Sequence, residues 1–178
     1  YLTIPAAITA ATAGDTIVVR PGTYLRSVEG QINLKDGVNI EFMDGVILDQ
    51  DVDNTNFISD NWISLTCRLS NIRTNVSVST VITTQMFSFT GTTTVIYGDK
   101  IFSDRTVAST VLSRWLFTNN GASVFFTNVY STNQSNGVNQ TLGTVYIQWQ
   151  LLQAQGSNAN FYIKNSGTLK FYGRLLAN

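Results

Sequence analysis

The chain has 178 residues, of which 43% are hydrophobic and 12% are charged, and its formal net charge is zero. This length suits one domain, and a low charged fraction made up by Ser, Thr, Asn, Gln and Gly is typical of β-rich extracellular proteins. The balanced charge argues against nucleic acid as a partner, and no apolar run is long enough to span a bilayer. We therefore expect neither a nucleic-acid partner nor a membrane span.

Two residue counts limit the available chemistry. Histidine is absent, which removes the commonest general base and the commonest ligand of transition metals. The single cysteine, Cys67, cannot form an internal disulfide and is expected to be a small buried apolar residue rather than a reactive thiol. The fold is therefore expected to depend on packing and backbone pairing alone.

Residues 1–15 are predicted to form an N-terminal capping helix. Thr3 is a suitable N-cap and Pro5 falls in the first turn, where its missing N–H costs nothing. Apolar residues recur at helical spacing after it, and Gly14 is predicted to end the helix. A helix with one apolar face is suited to covering the open end of a β structure.

Residues 16–178 are predicted to form short strands separated by polar turns, with no second helix. The strand Thr16–Arg20 follows the helix directly, and Pro21 and Gly22 predict a turn after it. Only two prolines occur in the chain, so long ladders are not interrupted. The clearest strands after this turn are Gln31–Lys35, Val38–Phe42, Val46–Leu48 and Trp62–Leu65.

Three segments repeat one pattern of apolar strand, glycine-containing turn, second strand and apolar pair. They begin at Phe87, Leu116 and Phe161, and in each the second strand starts eight residues after the first. Three short strands per repeat, at about 20–25 residues per coil, are typical of a parallel solenoid. We therefore predict an all-β fold, a single-stranded right-handed parallel β-helix of roughly six or seven coils over residues 16–178, below the short capping helix. No cap follows the last repeat, so another chain or further sequence is expected to cover that end.

The chain reads TIPAAITAATAGDTIVVRPGTY from Thr3 to Tyr24. This segment resembles the opening of the pectin-lyase-like right-handed β-helix superfamily, whose members often begin with a capping helix, a Gly-Asp-Thr-Ile strand and a Pro-Gly-Thr-Tyr turn. The resemblance implies the β-helix fold. It leaves function open among polysaccharide lyases, glycoside hydrolases, epimerases, esterases, phage tailspikes and non-catalytic surface proteins. The motifs of galacturonan hydrolases and pectin methylesterases have no match, so no functional residue is transferred.

A cluster of acidic residues is the first candidate site. Asp49, Asp51 and Asp53 alternate as at the start of a calcium loop, and carboxylate oxygens suit Ca²⁺. However, Asn54 stands where such a loop has Gly, and Asp60 stands where it has Glu. A solvated turn is the preferred interpretation, and we predict no metal and no other cofactor.

A pair of carboxylates is the second candidate. Glu41, Asp44 and Asp49 lie close together in sequence, and glycoside cleavage needs two carboxyl groups roughly 5–10 Å apart. Exposed carboxylates in turns are commoner than catalytic pairs, and the spacing does not fix their geometry. No catalytic residue is therefore predicted.

Aromatic residues are plentiful from Phe87 onward. Most are expected to face inward and to stack in the core. Adjacent pairs such as Phe125-Phe126 and Phe171-Tyr172 must send one ring outward, because successive strand residues face opposite ways. Outward rings among Ser, Thr and Asn suit glycan contact or, as the preferred alternative, burial against a second subunit.

These patterns favour a non-enzymatic structural or binding module. The expected setting is a virion, for example a phage tail spike or fibre, or a cell-surface or other extracellular assembly. Homo-oligomers, side by side or end to end, are the expected partners, and a glycan is a further candidate. The alternative is a carbohydrate-active enzyme, a polysaccharide lyase or glycoside hydrolase, with turn carboxylates as its catalytic groups: Glu41, Asp44, Asp49 or Asp51.

Overall fold

The computed structural model describes residues 2–52, 56–61, 65–77, 85–103, 115–132, 138–154, 163–165 and 168–177. In these ranges the helices are α1 (Ile4–Ala10) and α2 (Arg26–Glu29). The strands are β1 (Thr16–Val19), β2 (Gly22–Leu25), β3 (Ile32–Asn33), β4 (Asn39–Phe42), β5 (Val46–Gln50), β6 (Asn56–Ser59), β7 (Thr66–Val76), β8 (Gln85–Phe89), β9 (Val95–Ser103), β10 (Trp115–Thr132), β11 (Val138–Ala154), β12 (Ile163–Asn165) and β13 (Thr168–Ala177). The described chain is therefore mostly strand, as the predicted all-β class requires.

Helix α1 begins as predicted. The Thr3 hydroxyl accepts a hydrogen bond from the backbone N–H of Ala6 at 3.2 Å, and Pro5 lies in the first turn. Ile4 and Ile8 are buried in the hydrophobic core, so one face of the helix covers the first strands. None of the helices in the described ranges has the length and apolarity needed to cross a membrane.

The prediction that Gly14 ends this helix is wrong. The helix ends at Ala10, and Ala11 is already extended. The Asp15 carboxylate accepts hydrogen bonds from the backbone N–H of Thr12 at 2.7 Å and from its hydroxyl at 3.0 Å. A side chain that satisfies the backbone in this way competes with the helix. Gly14 has a φ of +97° in the turn that leads into β1.

Two other local predictions differ from the structure. A second helix exists, because Arg26–Glu29 forms the single turn α2. Its four residues include one apolar side chain, Val28, so its sequence shows no apolar periodicity. The turn predicted at Pro21 and Gly22 is confirmed at Pro21, which lies in a bend between β1 and β2, but Gly22 already belongs to the strand β2 (Gly22–Leu25). Its Gly22 pairs with Val46 and its Tyr24 with Leu48 of β5, so the neighbouring strand outweighs the local turn preference.

The strands pair in three ladders within the described ranges, and every pairing is parallel. Ladder 1 runs through Ile17, Ile40, Leu69, Gly98, Phe126, Ile147 and Phe171. Ladder 2 runs through Tyr24, Leu48, Thr74, Ser103, Ser131, Leu152 and Leu175. Ladder 3 runs through Ile32, Ile58, Phe87, Phe117, Val138 and Ile163. The chain thus passes ladders 1, 2 and 3 in turn and then returns to ladder 1.

The predicted strands are confirmed more closely than the predicted repeat. Strands β4 and β5 match the predictions, β3 is shorter than predicted, and residues 62–64 lie outside the described residues. In the repeat, Phe117 rather than Leu116 pairs with Phe87, and Ser123 pairs with Val95. Strand β11 lies between β10 and β13, a repeat that the pattern missed. Paired residues in neighbouring strands are 20 to 30 positions apart. The first and last strand pairs therefore agree with the expected value of about 20–25 residues per coil, and the middle ones exceed it.

The core lies between the ladders. Phe87, Phe89 and Phe126 are fully buried, and the Phe126 ring lies edge-on to the other two at centroid distances of 5.6 and 6.2 Å. Gly98 precedes Phe126 in ladder 1, and a Cβ added to Gly98 would lie 2.6 Å from Cδ1 of Phe126. The glycine therefore provides the space that the phenylalanine ring fills.

Cys67 is buried, as predicted. Burial, together with the negative charges of Asp36 and Asp60, raises the pKa of its thiol to about 12. A thiol that stays protonated is a poor nucleophile. Cys67 therefore acts as a core residue.

Candidate functional site

The proposed catalytic carboxylates lie on different ladders. Glu41 is exposed on β4 in ladder 1, Asp49 is half-buried on β5 in ladder 2, and Asp44 lies in the turn between these strands. The Asp44 carboxylate accepts a hydrogen bond from Asn71 Nδ2 at 2.9 Å, and Asp49 accepts one from Asn75 Nδ2 at 3.3 Å. Two of the three carboxylates thus join one strand to the next.

The proposed calcium ligands have partners within the chain as well. Asp51 accepts hydrogen bonds from the backbone N–H of Ser27 at 2.9 Å and from its hydroxyl. Asp60 is buried and accepts hydrogen bonds from the backbone N–H of Thr90 at 2.8 Å and from its hydroxyl at 2.9 Å. Asp53 lies outside the described residues. Within the ranges that the structure describes, no three His, Cys, Asp or Glu side chains gather as a metal site would require.

The same use of a carboxylate recurs along the ladders. Asp36 accepts the backbone N–H of Thr66 at 2.8 Å. Asp99 accepts the Thr127 hydroxyl at 2.9 Å and Asn128 Nδ2 at 2.7 Å. Burial of Asp99 acts to raise its pKa, but the hydrogen bonds from Asn128 and Thr127 outweigh burial and lower the pKa. A carboxylate that stays ionised is suited to holding strands together and not to acting as a general acid.

A stacked corner separates ladder 1 from ladder 2. Asn71, Lys100 and Asn128 stand at the same position in three successive strands and have φ values between +51° and +56°. Asparagine tolerates this left-handed conformation better than most residues. Asn71 Nδ2 also donates to the Phe42 carbonyl at 2.7 Å. The corner was not predicted, because the asparagines look like ordinary turn residues until their alignment is known.

An outward stripe of side chains runs along ladder 1. Arg68, Tyr97, Phe125, Tyr146 and Lys170 occupy successive strands at one register position, and we call this set the ladder-1 stripe. The Tyr97 and Phe125 rings stack with centroids 5.3 Å apart and planes 17° apart. The Arg68 guanidinium lies 4.9 Å from the Tyr97 centroid, in a cation–π contact.

A second outward stripe follows ladder 2. Arg73, Phe102 and Tyr130 occupy successive strands there, and we call them the ladder-2 stripe. The Phe102 and Tyr130 rings stack with centroids 5.0 Å apart and planes 7° apart, and the Arg73 guanidinium lies 5.3 Å from the Phe102 centroid. Both stripes therefore begin with an arginine that covers the first ring.

Of the aromatic side chains that the structure describes from Phe87 onward, fewer than half are buried, whereas the prediction placed most of them inward. From Phe87 onward, the described rings that are buried belong to Phe87, Phe89 and Phe126. The exposed or half-buried rings belong to Tyr97, Phe102, Phe125, Tyr130, Tyr146 and Tyr172. The alternation at Phe125-Phe126 is confirmed, and the Phe171 side chain lies outside the described set. A signal was present in the sequence, because both stripes recur five residues apart: Arg68 and Arg73, Tyr97 and Phe102, Phe125 and Tyr130.

A groove of about 680 Å³ lies between α1 and β1 at the N-terminal end. Leu2, Ala7, Val18 and Tyr24 contribute to its lining. The carboxylate at this groove belongs to Asp15, which accepts the hydrogen bonds from Thr12 described above. The groove is open and apolar in part, and its acid is already used to end the helix.

Comparison of this chain with protein-family models, with curated proteins and with solved structures finds no match. The resemblance of Thr3–Tyr24 to the pectin-lyase-like superfamily stays a prediction. Functional inference therefore depends on two features of the described surface, the carboxylates that join neighbouring strands and the two aromatic stripes.

Proposed function

We propose that this chain is a right-handed parallel β-helix that serves as a non-enzymatic structural or binding module and associates with itself through its outer surface. The proposed setting is a virion, for example a tail spike or fibre, or a cell-surface or other extracellular assembly. One observation carries the proposal: of the acidic side chains considered for chemistry, Asp44, Asp49, Asp51 and Asp60 accept hydrogen bonds from residues 24 to 30 positions away in the chain, and Glu41 lies exposed on a different ladder from Asp49.

The order of the strands supports the β-helix. A chain that passes three parallel ladders in turn and returns to the first winds about one axis, with one coil per passage. Parallel crossover connections are right-handed in about 98% of cases, which favours a right-handed coil. The buried residues Ile4 and Ile8 of α1 support its role as a cap, because a bare sheet edge invites aggregation.

The geometry of the aromatic stripes favours a protein partner over a sugar. Sugars are bound by stacking on an exposed ring face, but the faces of Tyr97 and Phe125 are directed at each other, and Arg68 covers the other face of Tyr97. The rings therefore present their edges and the tyrosine hydroxyls to the outside. Rows of ring edges form a firm, partly apolar surface that a second protein surface can cover.

Measurement of the mass of the purified chain tests the proposal. Light scattering over a wide concentration range is expected to show an oligomer, and Tyr97→Ser is expected to weaken association. Val28→Ser is the matched control, because Val28 is 70% exposed but lies on α2 and not on a stripe. Thermal denaturation of both variants verifies that they fold.

Incubation with acidic and neutral polysaccharides tests the enzyme alternative. The proposal predicts no new reducing ends and no unsaturated products. A chain that stays monomeric at all concentrations would contradict self-association. Cleavage that Glu41→Gln or Asp49→Asn abolishes would overturn the non-enzymatic assignment.

A further inference from the structure

We propose that two copies of this chain pack face to face through the outer side of ladder 1, with their ladders running in opposite directions. This inference rests on the proposed function, since it names the partner and the geometry of self-association. It follows from the order of apolar and charged side chains in two neighbouring rows. One row is the ladder-1 stripe; the other consists of the outward residues two positions later in each strand, which include Glu41, Asp99 and Tyr172.

The middle and C-terminal part of this surface is aromatic. Tyr97 is 38% exposed and Tyr172 is 56% exposed, while Phe125 and Tyr146 between them are half-buried. The Tyr146 and Tyr172 rings are in contact, with centroids 5.4 Å apart. Contiguous exposed rings of this kind mark interaction surfaces, and aromatic residues are enriched at protein interfaces.

The charged side chains have opposite signs at the two ends. Glu41 is exposed near the N-terminal end. It pairs with Ser70 of the next strand, and Ser70 pairs with Asp99, so Glu41 lies two strands before Asp99. Lys170 is exposed near the C-terminal end and lies two pairing steps beyond Phe125. Asp99 and Tyr97 are in the same strand, so Glu41 lies two strands before Tyr97, just as Lys170 lies two strands after Phe125. Glu41 and Lys170 are therefore equally far from the point midway between Tyr97 and Phe125.

This symmetry distinguishes the two ways in which identical faces can pack. A two-fold axis along the ladder direction sets Glu41 near Glu41 and Lys170 near Lys170 of the second copy, and like charges that face each other are destabilising. A two-fold axis along the strand direction sets Tyr97 against Phe125. Glu41 then lies over Tyr172 and diagonally across from Lys170 of the second copy.

Arg68 fits the opposite-direction arrangement as well. It lies one strand before Tyr97, so the same axis sets it against Tyr146 of the second copy. A guanidinium that already contacts one ring can also contact a second ring, because one cation–π contact does not prevent another. Among the side chains that the structure describes on ladder 2, no such complementarity is found, because the acidic neighbour Asp49 is half-buried and accepts a hydrogen bond from Asn75.

Chemical cross-linking tests the direction of packing. Glu41→Cys and Lys170→Cys are prepared separately and treated with a short bis-maleimide, alone and as a mixture. The native Cys67 does not interfere, because it is buried and its pKa is about 12. In the mixture we expect cross-linked dimers that contain one Glu41→Cys chain and one Lys170→Cys chain. Either variant alone is expected to give little product. Val28→Cys, mixed with each variant, is the control and is expected to give no dimer.

Charge reversal tests the same contact without a reagent. Glu41→Lys and Lys170→Glu are each expected to weaken the dimer about tenfold or more, and the double variant is expected to recover association. Both side chains are exposed, so the variants are expected to fold with the thermal stability of the parent chain.

The outcomes separate the two proposals. If the parent chain associates but Glu41→Cys and Lys170→Cys each cross-link with themselves, the opposite-direction dimer is wrong while self-association stands. If association persists but the double charge reversal brings no recovery, the Glu41–Lys170 contact is wrong. If the parent chain stays monomeric, the proposed function itself fails.

Discussion

Replacement of Gly98 by alanine tests the packing of the core directly. The added Cβ would lie 2.6 Å from Cδ1 of Phe126 and 2.9 Å from Cδ1 of Ile101, whereas carbon atoms in contact prefer about 3.5–4.0 Å. Overpacking of this kind costs about 1–3 kcal/mol. An alanine also lowers the entropy of the unfolded chain, which contributes about 0.4–1 kcal/mol in the opposite direction. The steric cost is larger, so we expect a net loss of about 1–2 kcal/mol.

The assay is urea denaturation of four proteins: the parent chain, Gly98→Ala, Phe126→Val and the double variant. Phe126→Val removes the ring atoms at 2.6 and 2.8 Å that the new methyl group would meet and leaves the end of the Ile101 side chain at 2.9 Å, so alanine at position 98 is expected to cost less in that background. The two substitutions should therefore be coupled by about 0.5–3 kcal/mol. An equal loss from Gly98→Ala in both backgrounds would refute the account of why glycine occupies this position.

Three further perturbations have definite expected outcomes. Asp60→Ala removes the acceptor of the Thr90 and Gly91 N–H groups and of the Thr90 hydroxyl in a buried site, and we expect a loss of about 1–3 kcal/mol or more by urea denaturation; a loss below about 0.5 kcal/mol would contradict the role of Asp60. Asp99 has a lowered pKa in the folded chain, so its contribution to stability is present above its unfolded pKa of about 3.9 and is lost as the pH falls through the lower folded value. Asp99→Asn should accordingly reduce the fall of Tm on acidification, and an unchanged fall would argue against its hydrogen bonds. Cys67 should react with an aromatic disulfide reagent at pH 8 only as fast as the chain unfolds, and immediate reaction would show that the thiol is accessible.

Local features of the fold could be predicted from the sequence. The cap at Thr3 and the strands β4 and β5 follow from residue preferences and alternation that act over a few neighbours. Features held by distant partners could not be predicted. The turn α2 has no apolar pattern of its own, and it is tied down by the bond from the Ile4 N–H to Glu29 and by the bonds from Ser27 to Asp51.

The repeat shows why register was harder to predict than strand position. Leu116 and Phe117 are both apolar, so the sequence alone does not say which of them pairs with Phe87. The same ambiguity affected the direction of the aromatic rings, since apolar residues on both sides of a strand hide the alternation.

The candidate site depended on the same missing information. Asp44 and Asp49 look like free turn carboxylates until the register sets Asn71 and Asn75 beside them. Such pairs are separated by 26 and 27 residues, and only the stacking of strands brings them together. The roles of the acidic residues therefore follow from the ladders and not from local motifs.

Nuclear Overhauser contacts across ladder 1 test the central claim, that successive parallel strands stack in the stated register. The account predicts backbone contacts that link Ile17 to Ile40 and Ile40 to Leu69, with the pattern of parallel strands. Strong contacts between α-protons of directly opposed residues, the mark of antiparallel pairs, would contradict it.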